Sequence, residues 1–85
     1  MDFRQAQADI LAVLRDSPIV RDSVVANVRE FVQVGEIGHA FDTLCSWLYE
    51  DELPISRALY QRLSTLSAQL EMPEPMDRLD ELIRD

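Results

Sequence analysis

Lysine is absent from this chain. All eight basic residues are arginines, set against sixteen carboxylates, and the 85 residues carry a net charge of −8. Nucleic-acid binding needs the opposite sign, to displace counterions from phosphate, so that class is excluded. Docking to an anionic membrane surface is excluded on the same ground. Cysteine occurs once, at Cys45, so no internal disulfide forms and a reducing cytoplasm is the expected compartment. No apolar run approaches the roughly 20 residues that cross a bilayer. The start, Met1-Asp2-Phe3-Arg4, lacks the positive flank and apolar core of a secretory signal. Histidine also occurs once, at His39, which leaves little material for general-base chemistry.

What is present favours helix. Glycine occurs only twice, while leucine, alanine, arginine and glutamate are common. A hydrophobic share of 47% is that of a folded protein, and the length suits one domain over residues 1–85. The central stretch Gly35–Glu52 reads as a helix, with Ile37, Ala40, Phe41, Leu44 and Leu48 on one side and Glu36, His39, Asp42, Ser46 and Glu50 on the other. Before it, Asp2 caps a helix to about Arg15 whose stripe is Phe3, Ala6, Ile10, Val13 and Leu14. Ser17 and Pro18 start a second helix to about Val34, along Val20, Val24, Val28, Phe31 and Val32, which Gly35 ends in the left-handed conformation. After Leu53-Pro54-Ile55, Ser56 caps a helix to about Glu71 on Leu59, Leu63, Leu66 and Leu70. Met72-Pro73-Glu74-Pro75 interrupts, and a last helix runs from Met76 to Ile83. The expected fold is all-α, a compact single-domain bundle of four to five short helices joined by short turns.

Charge is unevenly placed. Residues 1–29 balance to zero, residues 30–56 hold six acids and no base, and residues 71–85 hold six acids and two arginines. An acidic middle suits a basic protein partner, and acidity equally serves to keep a small protein soluble. Little of it suits catalysis. Cys45 projects toward the apolar side, away from His39, as a small core residue. Glu36, His39 and Asp42 share a helix face but hold a metal only with ligands from elsewhere. Glu50-Asp51-Glu52 lacks the alternating ligands of a calcium loop. No enzyme activity, cofactor or metal is expected. Tyr49 among carboxylates has the composition of a protein-binding hot spot, and equally that of a ring covering an apolar gap. Asp22-Ser23-Val24 shares two residues with the prosthetic-group site of acyl carriers, but no glycine precedes it and it falls inside the expected second helix.

Gly35-Glu36, Gly38-His39-Ala40, Asp42, Leu44-Cys45, Leu48-Tyr49-Glu50-Asp51, Pro54-Ile55-Ser56 and the leucines from Leu59 to Leu70 form a pattern. It resembles the MafI-type immunity proteins of bacterial polymorphic toxin systems. The resemblance covers roughly residues 31–72, and departs from the family at Asp42, where Glu is usual, and at Glu52, an extra acid. It implies a cytoplasmic antidote that binds and neutralises the C-terminal toxin domain, commonly a nuclease, of a cognate effector. The acidic helix face suits the basic cleft of such a toxin, and the partner-binding residues expected on it are Glu36, His39, Asp42, Tyr49, Glu50, Asp51 and Glu52, with Glu30 as an outlier. The competing function is a small acidic adaptor or regulatory subunit serving a resident basic partner.

Overall fold

The computed structural model describes residues 2–84. Its first helix, α1 (Phe3–Asp16), starts as expected: Asp2 Oδ1 accepts from the backbone N–H groups of Arg4 at 3.0 Å and Gln5 at 3.3 Å. The second, α2 (Asp22–Gln33), begins later than Ser17-Pro18 suggested. The Ser17 hydroxyl donates to the Leu14 carbonyl at 2.8 Å and accepts from Ile19 N–H at 3.3 Å, so it finishes α1 and opens a connection. That connection buries Ile19 and leaves Val20, expected on the helical stripe, in solvent. Two adjacent β-branched residues after proline favour extended backbone over a first helical turn. Asp22-Ser23-Val24 therefore lies in the first turn of α2 and not in its interior.

Helix α3 (Ile37–Glu50) starts two residues after Gly35, which belongs to the turn. Gly35 has φ +83°, and it closes α2 through Gly35 N–H to Val32 carbonyl (3.1 Å) and Glu36 N–H to Phe31 carbonyl (2.8 Å). The same paired bonds end α3, from Glu52 N–H to Tyr49 carbonyl and from Leu53 N–H to Leu48 carbonyl, both 3.0 Å. Helix α4 (Arg57–Leu70) is capped by Ser56 Oγ, which accepts from Leu59 N–H at 3.0 Å, and it ends with Met72 N–H on the Ser67 carbonyl at 3.0 Å. Glycine holds the left-handed position in only one of these three ends. Glu52 (φ 50°) and Glu71 (φ 55°) hold it in the others, a conformation that costs an L-residue about 1–2 kcal/mol.

The expected last helix from Met76 to Ile83 does not form. Two 3-10 turns stand there, Glu74–Met76 and Leu79–Leu82, broken by Arg78 at φ 70°. Asp77 (φ −58°, ψ 123°) and the left-handed Arg78 leave the helical region in the middle of the segment, so the i to i−4 ladder cannot run through it. The apolar residues still reach the core, with Leu79 and Leu82 buried and Met76 and Ile83 half-buried. Backbone bonds fasten this segment to the α3–α4 linker: Ile55 N–H donates to Leu82 carbonyl (3.0 Å) and Arg84 N–H to Ile55 carbonyl (2.8 Å).

The architecture is all-α. One continuous core runs through every helix, with Phe41, Leu44 and Leu48 of α3 fully enclosed at its centre. Helix α3 packs on α1, α2 and both 3-10 turns, and α4 packs on α1 and the first turn. Gly38 lets the chain after α4 lie close, since a Cβ there would meet Met72 Sδ at 3.3 Å. The radius of gyration, 11.6 Å, matches the roughly 12 Å of a close-packed chain of this length. Among the described residues, no helix is long and apolar enough to cross a membrane.

Candidate functional site

The suggested partner-binding residues fall into three places. Glu36, His39 and Asp42 are exposed along the N-terminal half of α3. His39 stacks on Phe31 of α2, with ring centroids 5.5 Å apart, and its Nε2 lies 3.9 Å from Glu36 Oε2. No group of three His, Cys, Asp or Glu side chains converges for metal binding among the described residues. Glu30 is exposed on α2. Glu36 and Glu50 are fourteen residues apart, roughly 20 Å along the helix, so the two ends of α3 present separate patches, and Asp42 between them also borders the second.

Glu50 and Glu52 form the second place, and here the structure adds residues that the α3 pattern did not include. Tyr49, Glu50 and Glu52 line one groove with Glu81, Leu82 and Arg84. Asp42, Tyr49 and Glu50 line the next with Glu74, Asp77 and Arg78. The 3-10 turns thus carry the C-terminal acids to the C-terminal end of α3, and one carboxylate surface forms from two segments distant in sequence. Its centre is Tyr49, half-buried against the core. Its ring covers the core edge, as one of the two readings of this tyrosine expects, and carboxylates line the grooves on either side of it. The Arg78 guanidinium sits 5.2 Å from the ring centroid and is held by Glu81 (Nε to Oε2, 2.9 Å). That carboxylate raises the Arg78 pKa further. The sequence signal for this addition was the six acids after residue 70. Their contact with α3 depends on the two prolines and the left-handed Arg78, which local patterning does not resolve.

Asp51 is the third place. Helix α3 ends at Glu50, Asp51 is its cap and Glu52 is left-handed (φ 50°), so the chain turns here and the Glu50-Asp51-Glu52 run does not act as one cluster. Asp51 turns to α2, where Arg21 meets both its oxygens (Nε–Oδ2 3.0 Å, Nη2–Oδ1 3.1 Å). The same guanidinium lies 5.3 Å from the Trp47 ring centroid. Trp47 and Tyr49 are therefore each covered by an arginine that a carboxylate holds in place. Asp51 joins α2 to α3, and of the suggested residues it is the least available to a partner.

Cys45 is buried under this surface. Burial first, and the nearby Asp42 carboxylate second, push its thiol up to about 12. A thiolate is the reactive form. The folded protein should therefore resist a thiol reagent such as DTNB at pH 8 and react fully once unfolded in urea; rapid labelling of the native protein would show that the thiol is accessible. Since an unfolded thiol ionises nearer 9, this group lowers stability as pH rises from about 9 toward 12.

A scan against protein-family models gives no match to the chain, and comparison with curated proteins and with solved structures gives none either.

Proposed function

We propose that the protein is an immunity protein, which binds the basic C-terminal toxin domain of a cognate bacterial effector stoichiometrically and neutralises it in the cytoplasm. The observation that carries this reading is the composite acidic surface, in which Asp42, Glu50, Glu52, Glu74, Asp77 and Glu81 surround the half-buried Tyr49. An aromatic ring set in a rim of carboxylates fits a basic partner. The acids steer encounter and pair with arginine or lysine, and a partner cation that takes Glu81 frees the ring that Arg78 covers for contact. The sequence pattern that resembles MafI-type immunity proteins spans the same part of α3. A nuclease toxin, whose phosphate-binding cleft is cationic, is the partner class with the matching charge.

The test is co-expression with the C-terminal domain encoded by the adjacent upstream gene. The expected result is a tight complex through purification and restored growth of cells making the toxin domain. No complex and no rescue would turn the acidic surface over to a resident basic partner.

A further inference from the structure

The α1–α2 side differs in kind from the acidic surface. Four large apolar side chains are exposed among the described residues: Phe3 (48%), Leu11 (39%), Val20 (85%) and Val34 (66%). All four lie in α1 or in the residues bordering α2, and none in α3, α4 or the 3-10 turns. Between α1 and α2 runs an open groove of about 550 Å³ lined by Ala8, Leu11, Ala12, Arg15, Arg29 and Gln33. No carboxylate lines it. Three other grooves on this molecule, all around the C-terminal turns, each hold at least three carboxylates. The chain is acidic overall, yet this groove is apolar and cationic.

Its construction suits a helical guest. Ala8 and Ala12 keep the α1 wall low, and Leu11 projects as an apolar contact. Gln7 Nε2 donates to the Val32 carbonyl at 3.0 Å and fixes the spacing of the two helices near the Phe3 end. Helix α1 has 14 residues, about 21 Å, enough to face some four turns of another helix. Arg15 is held by Asp16 (3.1 Å), whereas Arg29 is in no ion pair among the described residues.

We propose that the α1–α2 groove docks an acidic amphipathic helix of a partner protein. The apolar stripe of that helix lies on Ala8, Leu11 and Ala12, and its flanking carboxylates reach Arg15 and Arg29. Charge selects this occupant. A basic helix meets the Arg29 guanidinium here, with Arg15 held by Asp16 beside it, and finds better partners on the acidic surface. A second copy of this chain, docked by two-fold symmetry, sets its own Arg15 and Arg29 against the same pair. The inference does not rest on the immunity reading, because groove and acidic surface lie on different elements and take partners of opposite sign.

The experiment is an NMR titration of the 15N-labelled full chain with a synthetic helical peptide of about 18 residues, built from Leu, Ala and Glu. A second peptide carries Lys in place of Glu. The expected result is amide shifts confined to residues 8–15 and 29–33 with the Glu peptide, and affinity weakened by about tenfold or more in Leu11→Asp and in Arg29→Glu. Leu11 and Arg29 are exposed, so both variants keep the helical circular dichroism of the parent. Three outcomes would overturn the proposal: no groove shifts with the Glu peptide, equal binding of the Lys peptide in the groove, or a free protein that dimerises through α1 and α2.

Discussion

Replacing Leu79 with Ala is expected to lower the unfolding free energy by about 2–5 kcal/mol, the usual loss for a fully buried leucine. Leu79 is completely enclosed although it sits in a 3-10 turn outside the four helices. At about 0.05–0.15 kcal/mol per residue, a chain of this length has roughly 4–13 kcal/mol in total, so the loss is a large fraction of it. The melting temperature should fall by about 10–30 °C. Urea denaturation distinguishes two ways of failing. If the whole domain loosens, the midpoint falls at constant slope; if residues 74–84 detach first, the slope falls too, because less surface remains to be exposed. A loss below about 1 kcal/mol would mean that the C-terminal turns merely rest on the bundle. The acidic surface would then lack the rigid wall that Glu74, Asp77 and Glu81 stand on.

Reversing charge at Glu50, Glu52 and Glu81 together should slow association with a basic toxin domain by about 10- to 1,000-fold at low salt. All three acids line the groove beside Tyr49. The deficit should shrink as salt rises and the Debye length falls below about 8 Å. Glu81 is included because the fold delivers it to this surface. Asp51 is omitted because its pair with Arg21 joins α2 to α3, so its reversal would mix a folding effect with a binding one, whereas the Glu81 pair with Arg78 is exposed and local to one turn. A control with Asp9, Asp22 and Glu71 changed to arginine alters net charge equally away from this groove. Stopped-flow on-rates across a salt series decide the matter. Equal slowing in both variants would mean that net charge, and not this surface, steers the encounter.

Residue pattern alone located the helices well where a local signal was strong. Asp2 and Ser56 cap as their chemistry requires, and the apolar stripes of α1, α3 and α4 are mostly buried. Gly35 ends α2 in the expected conformation. The failures share a cause, which is that tertiary context decided them. The Ser17 hydroxyl had two helix ends to serve and bonds the earlier one. Residues 76–83 have helical spacing, but the break at Asp77 and the left-handed Arg78, with the pairing of residues 82–84 with Ile55, leave only 3-10 turns. Glu52 and Glu71 occupy positions where glycine would signal the turn, so nothing local marks them. The candidate site divides in the same way. Tyr49 and Glu50 stand out from α3 alone, whereas Glu74, Asp77, Arg78 and Glu81 join them only through long-range packing.

Trp47 is the only tryptophan of the chain, and it lies between the core and a guanidinium anchored by Asp51. Indole emission responds to the field of a charge placed over the ring. The molecule thus carries its own optical gauge at the border of its acidic tip, and any shift between α2 and α3 that parts Arg21 from Asp51 would change the colour or yield of that emission with no label attached.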